Sequence, residues 1–361
     1  MANTEFLELN ETDTQHTRTV LARRLADIVA LPSSRISPQE RWIVGDLLYD
    51  ILRASDVDLR AKCSKRLAEL VDAPHRLLRT LATDVFEVAE PILEQCKSLT
   101  DFDMLEIVRC GTQQHRMTVA RRENISETVA AALSAYGEPA VVERLLKNNT
   151  AILAAPTIDH LVAAVAEQPR YAPLLIGRSE LRPAPALRLF WGCAHRERLM
   201  ILERFSVDRT ILIDAVEDVF PMAAAEGWND PLVRRALNYI DRRQRQRDIS
   251  KFSQYNSLED VIDKTCLEGA RPELLAEIAA ISSINRGLLA TMFDDMGGEA
   301  LAVLCKSTGL KWSCFQSIWA GLGRPLDGPV AAEADKVYHM LSVQKAQTVL
   351  RYWNLSMEEN D

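Results

Sequence analysis

Apolar residues along this chain recur at helical spacing, with little of the alternation that marks a strand. Leu59, Cys63, Leu67, Leu70 and Val71 stand at offsets of 0, 4, 8, 11 and 12, which puts all five on one stripe of a helix. Val330, Ala334, Val337, Tyr338 and Leu341 form a second such face, with Glu333, Asp335 and Lys336 pointing elsewhere. About twenty segments of this kind, each roughly ten to eighteen residues long, succeed one another. The breaks between them carry helix punctuation: Ser37 with Pro38, Asp72 with Pro74, Thr100 before Asp101, Gly137 before Pro139, Pro156, Pro183, Asp230 with Pro231, and Arg271 with Pro272. Proline fits a first helical turn because its missing N–H has no partner there in any case. The pattern predicts an all-α chain with short connections.

Degenerate repeats run through the first half. LAELVDAPHRLLRTLA from Leu67, VARRENISETVAAALS from Val119 and LIGRSELRPAPALRLF from Leu175 align by apolar position, with starts 52 and 56 residues apart. Each reads as a helix end, a polar turn and a second apolar helix, and Arg122 matches Arg178 within the turn. An interleaved pair, from Leu81 and from Leu145, places Asp84 opposite Asn148, residue types suited to a helix cap. Stacked units that complete their cores against neighbours predict an α-solenoid. From Trp228 to about Tyr255 the character changes to an arginine-rich stretch, after which apolar helices resume without the repeat. The expected organisation is a helical-repeat domain over 1–250 and a small helical C-terminal domain over 251–361, ending in an acidic tail.

Composition narrows the class. The 361 residues are 47% hydrophobic and 26% charged, an ordinary balance for a globular protein. Forty-three Lys plus Arg against 51 Asp plus Glu leave a net charge of −8, which disfavours a surface spread over nucleic acid or anionic lipid. Seven cysteines stand singly with no CxxC, the pattern of free thiols in a reducing compartment. The N-terminus is polar and acidic and no apolar run approaches a bilayer's ~20 residues, so a cytoplasmic protein without a transmembrane segment is expected. No phosphate-binding loop, dinucleotide fingerprint, zinc-protease, nucleophile-elbow or EF-hand pattern occurs, and no catalytic, cofactor-binding or metal residue is assigned.

Four residue groups invite weighing. Cys193 and His195 form the one close Cys/His pair, but two residues apart on a helix they face different ways, so a buried thiol beside a surface imidazole is expected. Asp294, Asp295, Gly297 and Gly298 could hold a cation or phosphate; the plainer expectation is the end of one helix and the start of the next at Glu299. Arg235, Arg242 and Arg245 share a helical face and could meet an acidic protein partner, with a solvated linker helix as the first expectation and nucleic acid as the last. Trp312, Phe315 and Trp319 make an aromatic stripe at offsets 0, 3 and 7, which reads first as core and second as a partner or ligand groove.

Several runs carry a family resemblance. LATDVFEVAEPILEQCKSLTDFDMLEIV, HRMTVARRENISETV, LLKNNTAIL and FDDMGGEALAVLCKSTGLKWSCFQSIW, in that order, resemble the DUF2336 family of uncharacterised bacterial proteins, found mainly in alphaproteobacteria, over about Leu59 to Trp319. The resemblance implies a HEAT-like or leucine-rich-variant-like array followed by a distinct helical region, and implies no activity. The expected function is therefore a non-enzymatic scaffold or adaptor in regulation or signalling, binding a protein partner through the array surface or a C-terminal groove. A small-molecule-sensing or enzymatic C-terminal domain is the alternative, nucleic-acid binding through the 234–247 arginine stripe a third, and homo-oligomerisation stays open.

Overall fold

The computed structural model describes residues 17–32, 34–206, 253–269, 271–282 and 284–358. All regular structure among them is helical. The helices are α1 (residues 17–29), α2 (Pro38–Arg53), α3 (Val57–Ala68), α4 (His75–Ala82), α5 (Phe86–Gln95), α6 (Asp101–Cys110), α7 (Gln113–Val119), α8 (Glu127–Ala135), α9 (Pro139–Leu146) and α10 (Ala155–Ala164). After them come α11 (Ala172–Ile176), α12 (Pro183–Leu189) and α13 (His195–Phe205), then α14 (Leu258–Glu268), α15 (Pro272–Ser282), α16 (Arg286–Asp294), α17 (Glu299–Thr308), α18 (Trp312–Gly321), α19 (Pro329–Met340) and α20 (Val343–Glu358). Two compact units result, Met1–Thr157 and Ile158–Asp361. The domain boundary expected near residue 250 lies outside the described residues.

The punctuation acts as anticipated. Ser37 and Glu40 close a reciprocal capping box ahead of Pro38, and Thr100 with Asp103 closes another ahead of α6. The stripe from Leu59 is shorter than its periodicity suggests: α3 stops at Ala68, Leu70 lies beyond it, and Val71 is 83% exposed.

In the first unit α3 packs on α5, α5 on α7 and α7 on α9, while α2 packs on α4 and α6 on α8. Successive helices also touch, as α3 with α4, α4 with α5, α6 with α7 and α8 with α9 do. Side chains in the turns reach carbonyls roughly one helix pair back. Arg122 donates to the carbonyls of Leu93 and Cys96, satisfying the end of α5. Asn148 donates to Ala120 O at 3.1 Å and to Arg122 O at 2.6 Å. Asn148 and Asp84 thus occupy equivalent turns but tie helices together instead of capping the next one: Asp84 holds Arg60 Nε at 2.6 Å, and its carbonyl faces His115 Nε2 at 2.9 Å.

In the second unit Arg204 repeats the tie, donating to the carbonyls of Ile176 and Arg178. Donor and acceptors stand 56 residues after Asn148, Ala120 and Arg122, the offset that aligns Arg122 with Arg178. Helix α17 forms this unit's centre: Glu299, Ala300, Leu301, Ala302, Val303, Leu304, Cys305 and Ser307 are all buried, as expected of a helix apolar almost all round. It packs on α16, α18, α19 and α20. Trp353 of α20 lies against Phe190 and Trp191 and donates its indole N–H to Leu187 O at 3.0 Å, locking α20 onto α12. Among the described residues no single helix is long and apolar enough to cross a membrane.

Candidate functional site

Two clusters in the second unit gather the residues singled out by sequence. The first is a buried knot around Arg198 of α13. Its Nη1 lies 2.8 and 3.0 Å from the two carboxylate oxygens of Asp295 and 3.0 Å from Glu299 Oε2, and its Nε donates to Cys193 O at 3.0 Å. His195 Nδ1 faces Glu299 Oε1, and its Nε2 lies 3.0 Å from Glu333 Oε2 on α19. Burial depresses the Arg198 guanidinium, but the charges and hydrogen bonds of Asp295 and Glu299 outweigh it and hold the group above its ordinary value. The knot joins α13 to α17 and α19: Arg198 faces Asp295 and Glu299, and His195 lies between Glu299 and Glu333. Cys193 and His195 form no dyad. The imidazole is engaged by two carboxylates, while burial and then the charge of Glu197 push the Cys193 thiol up to about 11.

Asp294, Asp295, Gly297 and Gly298 form the expected turn between α16 and α17, with Gly298 at φ +80°. A Cβ at Gly298 would sit 3.1 Å from the Trp319 ring, so position and conformation both demand glycine.

The second cluster is an open groove of about 560 Å³. Its shape comes from the loop after α18. Arg324 in that loop donates to Phe293 O at 2.7 Å and Asp295 O at 2.8 Å, and lies over the Trp319 ring at 4.6 Å. Trp319 in turn donates its indole N–H to Pro325 O at 3.0 Å. So pinned, the loop presents Leu326, Asp327 and Gly328 as one wall; Ala331, Ala332 and Asp335 of α19 make the other, and Trp312 and Gln316 of α18 also line the groove. Small residues on α19 keep it open. The Trp312 ring is held by parallel stacking on Phe315, with centroids 4.2 Å apart, and by Tyr338 at 5.3 Å, whose hydroxyl donates to Leu310 O.

The aromatic stripe therefore splits. Phe315 and Trp319 are buried at 0% and 2% exposure, whereas Trp312 is half-buried and lines the groove. Arg235, Arg242 and Arg245 lie outside the described residues. The groove's charged lining consists of two carboxylates, Asp327 and Asp335. Asp335 Oδ1 lies 3.3 Å from His339 Nε2 at the surface, and Asp327 makes no ion pair or hydrogen bond among the described residues. Sequence reasoning missed both aspartates. Asp335 showed only as a residue off the apolar face of its helix, and Asp327 stands among Gly321, Gly323, Pro325 and Gly328, a stretch that carries no binding pattern. No group of three or more His, Cys, Asp or Glu among the described residues is placed to hold a metal ion.

Comparison with known proteins returns no curated protein and no solved structure that matches the chain. One family model does match, over residues 88–351, a span that takes in the ties of Arg122, Asn148 and Arg204, the knot and the groove. It describes an uncharacterised protein conserved in bacteria, and the chain belongs to this family, DUF2336.

Proposed function

We propose that the protein is a non-enzymatic interaction scaffold in which a HEAT-like helical array accompanies a C-terminal groove that takes a segment of a partner protein. The array reading is supported by the next-but-one packing of α3 on α5, α5 on α7, α7 on α9, α2 on α4 and α6 on α8 in the first unit, and by the turn tie that recurs at 56 residues. The observation that carries the functional reading is the Trp312 ring, held rigid from below and turned into a groove. A large aromatic that is already ordered adds contact area with little further loss of entropy, which is why such rings anchor interfaces.

The test places a photoreactive amino acid at Gln316, within the groove, or at exposed Glu94 in the first unit, in cells of the native host. A discrete adduct from position 316 that disappears with Trp312→Ala, and is absent from position 94, is the expected result. Identical patterns from both positions, or an adduct indifferent to Trp312, would overturn the reading.

A further inference from the structure

We infer that the groove binds an arginine side chain of the partner, its guanidinium lying on the Trp312 face between Asp327 and Asp335. The inference rests on the reading of the groove as a partner site and adds the chemistry of the ligand.

An internal precedent lies in the same stack of rings. Trp312, Phe315 and Trp319 lie nearly parallel, with successive centroids 4.2 and 5.5 Å apart. At the Trp319 end the stack carries the Arg324 guanidinium, 4.6 Å from the ring centroid and further held by two carbonyls. Tyr338, beside Trp312, carries Lys306 Nζ at 4.5 Å. Among the described residues Trp312 carries no guanidinium or ammonium, its ionisable neighbour being the His339 ring at 6.4 Å, yet it is the ring that lines the groove, with two carboxylates in the same lining. A guanidinium is flat, weakly hydrated and able to stack on an aromatic face while its edge donates to carboxylates. It would satisfy both features of the groove at once. An ammonium could pair with the aspartates, but it is compact and more strongly hydrated, so it would gain less from the ring. The volume of about 560 Å³ lies within the range of roughly 300–1,000 Å³ typical of binding clefts, enough for an arginine and its neighbouring residues.

A fluorescein-labelled Gly-Arg-Gly-Arg-Gly peptide, titrated with the full-length protein and followed by fluorescence polarisation, tests this. Matched peptides carry lysine or citrulline, the latter keeping arginine's shape without its charge. The expected order is arginine above lysine above citrulline. Trp312→Leu and the double variant Asp327→Asn, Asp335→Asn should each weaken the arginine peptide about tenfold or more, a loss of roughly 1.4 kcal/mol. Because both aspartates sit at the surface, the double variant keeps the test valid if loss of the ring disturbs the fold. No binding of the arginine peptide, equal binding of the citrulline peptide, or binding unchanged in the double variant would overturn the inference. An adduct at position 316 that needs Trp312, in a protein that ignores the arginine peptide, would remove the arginine and leave the scaffold. Arginine binding without any such adduct would do the reverse.

Discussion

The knot around Arg198, which joins α13 to α17 and α19, and the groove beside Trp312, between α18 and α19, both turn on carboxylates, and they use them in opposite ways. In the knot, Glu299 is fully buried, with one oxygen facing the Arg198 guanidinium and the other the His195 imidazole, both on α13. In the groove, Asp327 is exposed and, among the described residues, without a partner, and Asp335 pairs there with a surface histidine. A buried charge must be paired, because desolvation costs several kcal/mol per ion, so satisfied groups of this kind report on how the fold is held. Exposed carboxylates against a half-buried ring carry no such obligation. Their partners can come from outside.

The sharpest break of that comparison is Glu299→Gln. It removes one of the two anions facing Arg198 and an anion facing His195, leaving buried donors against a neutral amide. Removal of one member of a buried pair costs about 3–5 kcal/mol, so a large drop in the urea midpoint with an unchanged slope is expected. A loss below about 1 kcal/mol, the size of a surface pair, would show that the knot is not what joins these helices.

Next in size comes a pair of glycines that end or begin α17. Gly298 and Gly309 have nearly the same backbone angle, φ +80° and +81°, but a Cβ at Gly309 would meet nothing within 4 Å. Gly309→Ala should therefore lose only the left-handed backbone term, about 1 kcal/mol. Gly298→Ala should lose that and also press on Trp319 and Ala334, for about 2–3 kcal/mol in all. Equal losses would mean that the turn over Trp319 yields freely.

These sites differ in how far the sequence disclosed them. The helical class, the turn positions and the caps at Ser37 and Thr100 depend on residues within a few positions of one another, and local pattern is enough to read them. The arginine at position 122 was visible as a repeat residue; its role was not, because its acceptors lie 26 and 29 residues back. Arg198 and Glu299 are separated by 101 residues, and no spacing rule links them. Trp312 was legible as one of three aromatic residues on a stripe, but which of the three would line a groove depended on the path of the loop held by Arg324. That path is set by carbonyls about thirty residues earlier, at Phe293 and Asp295.

Thiol chemistry offers a smaller probe of the same contrast. Cys63 and Cys193 are both pushed up to about 11, in each case by burial above all, so at pH 8 only about a thousandth of either is thiolate. With iodoacetamide at that pH, exposed Cys110 should be modified first, with Cys63 and Cys193 protected. Labelling of both should rise with pH toward 11, since the thiolate is the nucleophile. In Glu299→Gln, Cys193 should label faster, because its carbonyl is held by Arg198, whereas Cys63 in the other unit should not. Equal acceleration of both would indicate global unfolding, and no acceleration a knot that does not protect the thiol.

The smallest effect on stability belongs to the groove aspartates, and it is the most informative. Asp335 and His339 form an exposed i, i+4 pair, worth about 0.3–0.5 kcal/mol when the histidine is charged. Asp327 makes no pair among the described residues. Thermal melting of the Asp327→Asn, Asp335→Asn variant should therefore match the parent within about 0.5 kcal/mol, the usual range for surface changes. A loss of more than about 1 kcal/mol would place these carboxylates with Glu299, as groups the fold requires, and the contrast between knot and groove would collapse. A variant that melts like the parent but no longer binds a cation would show two carboxylates maintained at no benefit to folding, which is what separates a site from a scaffold.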